Sequence, residues 1–145
     1  VSRKSLAAIG VILERKARYV KLAKLKRKTA GLLRSAINRR LGRIPRHLRR
    51  TITYDNGTEN TEHLLVNKRL GTESFFCEPY HSYEKGSIEQ AIGLLRRWIP
   101  KGCDLSKVSS RQLKKIEKRI NARPRKCLQY LTPSEAYKNC VALKS

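Results

Sequence analysis

Two acidic residues, Asp55 and Glu89, have the type and sequence context expected of ligands for a divalent metal ion. Asp55 follows the alternating Ile52 and Tyr54, which predict a short strand. Glu89 lies shortly after Ser87, a residue type that often precedes the first turn of a helix. Hard divalent cations bind ionised oxygen ligands, and the first turn of a helix favours negative charge. The pair is therefore a candidate metal site.

Each of these residues also has an interpretation that needs no metal. Asp-Asn-Gly at 55–57 is a strong hairpin signal, and a glutamate in a first helical turn stabilises the helix by about 0.3–1 kcal/mol without any other role. The segment that follows, however, has leucines at helical spacing and reaches Gly71, where a helix C-cap belongs. Asp-Asn-Gly is thus predicted to join a strand to a helix. Asp55 would lie at the carboxyl end of that strand, where α/β sheets bind ligands.

A helix capped by Ser87 is predicted to present Glu89 on an open face. Ser87 and Gln90 have the spacing of a capping box. Gly93 and Arg96 share the face of Glu89, at i+4 and i+7, so that a phosphate group has room to approach. The buried stripe of this helix is predicted to consist of Ile88, Ile92, Leu95 and Ile99.

The remaining elements expected from hydrophobic periodicity complete an α/β layout. Residues 6–13 and 18–25 predict an antiparallel hairpin whose first strand is apolar enough to be covered on both faces. Four further elements follow along the chain: a helix over 29–45, a strand over 72–80, a helix with a capping box at Ser109 and Gln112, and one or two helical turns from about Pro133.

The composition indicates an anionic polymer as partner. The net charge is +23, from 34 Lys and Arg against 11 Asp and Glu. Because 39% of the residues are apolar and occur in periodic runs, the chain is predicted to fold. No apolar run approaches the roughly 20 residues that span a bilayer, so no membrane partner is expected. The cysteines at 77, 103, 127 and 140 lack the spacing of zinc sites and are expected to be reduced thiols in a cytosolic protein.

The extent of the chain is also predicted from its composition. It contains no methionine, even at position 1, so we expect a piece of a longer protein that lacks an N-terminal portion. Residues 1–145 are expected to form a single domain. Residues from about 104 to 145 are expected to be a basic, helical and irregular extension of it.

Four stretches of the sequence resemble a known family. They are LERKARYV at 13–20, YDNGTE at 54–59, PYHSYEKGSIEQAIGLLRRWIPKGCDLSKV at 79–108 and INARPRKCLQYLTPSEAY at 120–137. Together they resemble bacterial insertion-sequence transposases of the IS-thirty type, whose DDE core has the retroviral-integrase, RNase H-like fold. Thirty-three residues separate Asp55 from Glu89, which matches the spacing of the second and third acidic residues of that family.

The resemblance implies an RNase H-like mixed sheet flanked by helices, in an enzyme that cleaves DNA and transfers strands. Asp55 and Glu89 would be two ligands of a pair of Mg²⁺ or Mn²⁺ ions, and the first Asp of the family would precede Val1. The first strand is therefore expected to be truncated and the fragment inactive. The implied partners are transposon ends, target DNA and further copies of the chain, in the bacterial cytoplasm at the nucleoid.

Cations near and beyond Glu89 are predicted to hold the DNA backbone without reading its sequence. Arg96 is favoured for a phosphate contact because helical spacing places it near Glu89. Trp98 is predicted to belong to the core, and His81, in the loop before Glu89, could approach the metals or simply lie on the surface. The predicted DNA-binding residues are Lys85, Arg96, Arg97, Lys101, Arg123, Arg125 and Lys126.

Two other interpretations stay open. A basic nucleic-acid-binding protein of ribosomal type would explain the charge without any need of carboxylates. A stand-alone RNase H-like nuclease would cleave DNA without joining it. Carboxylates at a strand end and a helix start, inside a basic surface, favour the metal-dependent enzymes, because they repel phosphate unless a cation lies between.

Overall fold

The computed structural model of the protein describes residues 7–54, 60–76 and 86–144. Within these ranges the strands are β1 (Ala8–Glu14), β2 (Tyr19–Leu25), β3 (Thr51–Tyr54) and β4 (Glu73–Phe76). The α-helices are α1 (Ala30–Leu41), α2 (His63–Leu70), α3 (Gly86–Leu95), α4 (Ser110–Asn121) and α5 (Pro133–Lys144). None of these described helices has the length and apolar character needed to cross a bilayer.

The predicted hairpin is confirmed. β1 and β2 pair antiparallel, with Ala8 opposite Leu25 at one end and Glu14 opposite Tyr19 at the other. The carboxylate of Glu14 accepts hydrogen bonds from backbone N–H groups in the turn that follows. This side chain therefore closes the turn between the two strands.

The predicted strand-to-helix connection after β3 is also confirmed. β3 pairs with β4 in parallel, with Thr51 opposite Glu73 and Tyr54 opposite Phe76, and α2 forms the crossover between them. α2 ends at Gly71, which has a left-handed φ of 70° and donates its N–H to the last helical turn. The strand predicted over 72–80 begins at Glu73. Its last part, from 77 onward, lies outside the described residues.

The two strand pairs form separate two-stranded sheets within the described ranges, and apolar side chains pack on both faces of the hairpin. Because side chains alternate along a strand, Val20 and Leu22 of β2 enter one core, whereas Ala23 and Leu25 face the other way and form a small cluster with Ala8 and Ala36. The first core is formed by Val20, Leu22, Ala91, Leu95, Ile99, Leu113 and Ile120, among others. The second is formed by Ile37, Leu41, Tyr54, Val66 and Leu70, with Ile12 of β1 packed against it.

Asn121, the last residue of α4, closes the outer edge of β2. Its side chain is almost fully buried, at 1% exposure. Its Oδ1 accepts a hydrogen bond from the N–H of Val20, and its Nδ2 donates one to the C=O of Val20, both at 2.8 Å. The amide therefore occupies the position that a neighbouring strand would take, and it fixes α4 to the hairpin.

The helix ends follow local capping chemistry. The predicted capping box of α4 is confirmed, because Ser109 and Gln112 exchange hydrogen bonds between side chain and backbone. α5 is longer than the predicted one or two turns, with 12 residues. Thr132 and Glu135 make the same reciprocal pair at its start. A weak apolar stripe conceals the length of α5 in the sequence, whereas the Thr-x-x-Glu box marks its beginning.

α1 is shorter than the predicted helix over 29–45. Thr29 caps its N-terminus by accepting a hydrogen bond from the N–H of Leu32. At the other end the N–H of Gly42 donates the last helical hydrogen bond, to the C=O of Asn38. The N–H of Ile44 donates to the C=O of Leu41. The helix therefore ends four residues before Pro45, although Ile44 still packs against the second core.

Arg49 holds the C-terminal ends of two helices together. Its Nη1 donates hydrogen bonds to the backbone carbonyls of Leu41, Gly42 and Ile44 at 2.8–3.0 Å. Its Nε donates to the carbonyl of Leu70, at the end of α2, at 3.2 Å. Carbonyls at helix ends have no donor inside the helix, so this guanidinium provides one for Gly42, Ile44 and Leu70. For Leu41 it is a second donor, beside the N–H of Ile44.

We expect Arg49→Gln to lower the free energy of unfolding by about 2 kcal/mol. Hydrogen bonds from a charged donor contribute about 1.5–3 kcal/mol, and several carbonyls lose their partner at once. Urea denaturation followed by circular dichroism measures the change. The neighbouring Arg50, whose side chain is exposed, provides the matched control, and Arg50→Gln should change stability by less than about 0.5 kcal/mol. Equal stability of the two variants would contradict the role of Arg49.

Candidate functional site

Glu89 lies in the first turn of α3, and its side chain is exposed. The opposite side of the helix packs into the first core through Ala91 and Leu95. One turn after Glu89, a Cβ built on Gly93 would meet no atom of the described residues within 4 Å. No described residue therefore covers the face of α3 that carries the carboxylate near Gly93.

Two predictions about α3 are wrong. The helix begins at Gly86, so Ser87 lies inside the first turn and is not the residue that caps it. Ile92 is 37% exposed and does not belong to the buried stripe, whereas Ala91 is 4% exposed. α3 packs against β1, and the small side chain of Ala91 lets the helix approach the strand closely. Because Ala91 faces the strand, the larger Ile92 lies toward the outside.

The cations that follow Glu89 differ in accessibility. Arg96 is half-buried just beyond α3, and its Nη1 makes a long contact of 3.5 Å with the carbonyl of Ile99. Arg97 and Lys101 are exposed and make no ion pair with a carboxylate among the described residues. The side chains that remain most available for an external anion are therefore those of Arg97 and Lys101.

Trp98 is not a core residue, contrary to the sequence prediction. Its side chain is 45% exposed, and the guanidinium carbon of Arg119 lies 4.9 Å from the ring centroid. A cation over an aromatic ring is attracted by the electrons of that ring. This contact joins the end of α3 to α4. Trp98 lies at the border of the apolar stripe, and its ring packs against Arg119 of α4.

Three further predicted cations lie between α4 and α5. Arg123 and Lys126 are exposed, and Arg125 is half-buried. The described ion pairs of the protein lie elsewhere, between Arg34 and Glu62 and between Arg40 and Glu117. The segment after α4 therefore adds to the positive surface of the described residues.

An aromatic cluster supports the strand end that precedes Asp55. The ring of Tyr54 is buried and stacks on Phe76, with 5.6 Å between centroids, and His63 meets Phe76 edge-on at 4.8 Å. Burial raises the pKa of Tyr54 to about 12, so its hydroxyl is protonated at physiological pH. The hydroxyl of Tyr54 and the Nδ1 of His63 have no hydrogen-bond partner among the described residues. Both residues line a cavity of about 10 Å³. That is about the volume needed for one water molecule.

This cluster was not evident from the sequence. The alternation of Ile52 and Tyr54 predicts a strand, but it does not reveal that Tyr54 meets His63 and Phe76, which come from α2 and β4. The sequence indicates this cluster only through aromatic residues at the ends of β3 and β4, Tyr54 and Phe76.

Several predicted site residues lie outside the described residues, namely Asp55, His81 and Lys85. The approach of Asp55 to Glu89 therefore stays a prediction. Within the described ranges, no group of three or more His, Cys, Asp or Glu side chains could hold a metal ion. The exposed carboxylate of Glu89 fits a hard divalent cation as one ligand, because such ions take carboxylate oxygens.

The chain is similar to curated insertion-sequence transposases. It is 47% identical over 96 residues to the transposase for element IS4351 of Bacteroides fragilis, which covers 66% of the chain and 29% of that protein. It is 35% identical over 136 residues to the transposase for IS1086 of Cupriavidus metallidurans, covering 94% and 40%. It is 31% identical over 135 residues to transposase InsI for IS30A of Escherichia coli, covering 93% and 35%. The chain thus spans two-fifths or less of the length of these relatives. No protein-family model matches it.

The fold is similar to that of retroviral integrases. The catalytic core domain of BIV integrase superposes with a TM-score of 0.72 at 21% identity, covering 94% of this chain and 88% of that one. The simian T-cell lymphotropic virus intasome, in complex with PP2A regulatory subunit B56 gamma, gives a TM-score of 0.65 at 18% identity and covers 83% and 44%. The predicted α/β, RNase H-like fold class is thereby confirmed. By its sequence the chain belongs with the insertion-sequence transposases of the IS30 type, and its fold is that of an integrase catalytic core.

Proposed function

We propose that the chain is the catalytic core of a DDE transposase, which cleaves DNA and joins the cleaved strand to target DNA with the help of Mg²⁺ or Mn²⁺. The supporting observation is the exposed carboxylate of Glu89 in the first turn of α3, beside the open surface at Gly93. A carboxylate on a strongly basic protein repels phosphate unless a metal ion bridges the two. The similarity to transposases agrees with this chemistry.

In this proposal Asp55 and Glu89 hold the metal ions. Bound Mg²⁺ would stabilise the attacking and leaving oxygens during in-line displacement at phosphorus. Glu89 supplies its carboxylate from a helix that packs on β1, and Asp55 directly follows the buried end of β3. Arg97 and Lys101, exposed beyond the end of α3, would bind phosphates of the DNA backbone and help to position the strand.

A third carboxylate, from a residue that precedes Val1, completes the proposed site. Two dications close together repel one another, and three carboxylates neutralise them in part. The chain by itself is then expected to bind DNA without catalysing a reaction. Its proposed partners are transposon ends and target DNA, and further copies of the chain in the active assembly, in the bacterial cytoplasm at the nucleoid.

Salt-dependent binding of the chain to labelled DNA duplexes tests the proposal that DNA is its partner. We expect similar affinity for duplexes of unrelated sequence, with log K falling by about 0.9 per phosphate contact for each unit of log salt. The double variant Arg97→Gln/Lys101→Gln should make the plot of log K against log salt less steep, by about the amount that two phosphate contacts contribute. Fluorescence anisotropy at increasing salt concentrations gives the slope.

The matched control removes two exposed cations from α2, in Lys68→Gln/Arg69→Gln. It makes the same change in net charge and should leave the slope closer to that of the unmodified chain. Tighter binding to RNA duplexes than to DNA would instead favour a protein of ribosomal type. Absence of DNA binding would remove the proposal.

A further inference from the structure

The segment between α4 and α5 forms a compact loop, residues 125–131, that is held by its own backbone. The N–H of Arg125 donates to the carbonyl of Leu131 at 3.0 Å. The carbonyl of Arg125 accepts from the N–H groups of Leu128 and Tyr130, at 3.0 and 2.9 Å. The chain therefore returns to its starting point within seven residues and presents the side chains near its tip in a fixed arrangement.

Two consecutive residues in this loop have a left-handed backbone. Gln129 has a φ of 54° and Tyr130 a φ of 65°. This region is unfavourable for residues with a bulky side chain, and the surrounding hydrogen bonds hold it in place. The ring of Tyr130 is nevertheless 69% exposed, so burial of the ring does not compensate for the strain. Such strain is common where a side chain must meet a ligand.

Two exposed cations precede Tyr130 in the same segment of the chain. Arg123 and Lys126 are exposed, and neither makes an ion pair with a carboxylate among the described residues. Exposed aromatic rings and exposed cations on one surface are the combination by which proteins bind single-stranded nucleic acid, with cations on the phosphates and the ring on a base. In a duplex both faces of a base are covered by its neighbours. A base outside the duplex has no partner to hold it in the stack, so it can turn out and offer a face to an aromatic ring.

We propose that Tyr130 stacks on an unpaired base of a DNA strand whose phosphates are bound by Arg123 and Lys126. This inference rests on the proposed function and deepens it, because it assigns a contact that distinguishes an unpaired strand from a duplex. DNA cleavage or joining at staggered positions on the two strands leaves strand ends at which bases lack a partner. The loop would hold such an end in place while the reaction proceeds.

The test compares a blunt DNA duplex with the same duplex carrying a short single-stranded extension. We expect the chain to bind the extended DNA more tightly, and Tyr130→Ala to lose about tenfold in affinity for the extended DNA and less than about twofold for the blunt one. Tyr130→Phe should behave like the unmodified chain, since stacking does not need the hydroxyl. Tyr130→Leu, which keeps an apolar side chain without a flat ring, should behave like Tyr130→Ala.

A fluorescent base analogue at the first unpaired position provides a second readout. Stacking should quench it with the unmodified chain and with Tyr130→Phe, but not with Tyr130→Ala. The control Lys68→Gln, which removes an exposed cation of α2, should leave the preference for the extended DNA unchanged. If the chain binds both DNAs and Tyr130→Ala keeps the full preference for the extension, this inference is overturned while the proposed function stands. If the chain binds neither DNA, both are overturned.

Discussion

Glu89→Gln is expected to reduce Mg²⁺-dependent DNA strand joining by about 10³-fold or more, in a chain extended upstream to include the first acidic residue of the family. Glutamine keeps the shape of the side chain and removes the charge that binds the metal, and the reaction depends on metal ions to stabilise both oxygens at phosphorus. Asp55→Asn should have a similar effect. A gel assay with a labelled transposon-end oligonucleotide measures joining. DNA binding at low salt should remain, since the phosphate-binding cations are unchanged.

Glu73→Gln is the matched control, because Glu73 is an exposed carboxylate on β4. This substitution should leave the joining activity unchanged. A second readout is independent of activity: binding of Mn²⁺ followed by electron paramagnetic resonance should be weaker in the Glu89→Gln variant. Full joining activity in either active-site variant would remove the assignment. Cleavage without joining by the extended chain would point to the nuclease alternative. Robust catalysis by residues 1–145 alone would show that the third carboxylate has been misplaced.

Asn121→Leu is expected to lower the free energy of unfolding by about 3–5 kcal/mol. Leucine has a similar volume, but it leaves the N–H and the C=O of Val20 without a partner inside the protein. Each unsatisfied buried backbone group costs about 1–3 kcal/mol, and the change also removes the link between β2 and α4. Urea denaturation followed by circular dichroism measures the loss.

The exposed Asn139 of α5 provides a control for the same substitution. Asn139→Leu should change stability by less than about 0.5 kcal/mol. Hydrogen exchange at the amide of Val20 adds a local readout, since that N–H should exchange faster only in the Asn121 variant. If Asn121→Leu is as stable as the Asn139 variant, water replaces the amide at the strand edge and the side chain has no structural role there.

Local capping chemistry was predictable from the sequence. Ser109 with Gln112 marks the start of α4, and Gly71 ends α2 in the left-handed conformation. These features depend on a few neighbouring residues, so a short stretch of sequence contains the required information. The hairpin and the strand-to-helix step after β3 were predictable for a related reason, because their periodicity changes within a short distance.

Contacts between distant segments were not predictable in the same way. Arg49 resembles any other arginine of a basic chain until the ends of α1 and α2 lie beside it. The exposure of Ile92 and Trp98 depends on β1 and on Arg119, which are remote in sequence. At the candidate site, the position of Glu89 on a first helical turn was predictable. The residue that caps this helix was not, and the proximity of Asp55 stays a prediction.

The bond between Val20 and Asn121 also has a consequence for synthesis on the ribosome. The two residues are 101 positions apart, so the hairpin leaves the ribosome well before α4 exists. At about 5–20 residues per second, the interval is roughly 5–20 s. Throughout that time the outer edge of β2 can pair with strands of other nascent chains, which is the usual route to aggregation at strand edges. Slow translation of the middle of this chain should therefore lower its soluble yield.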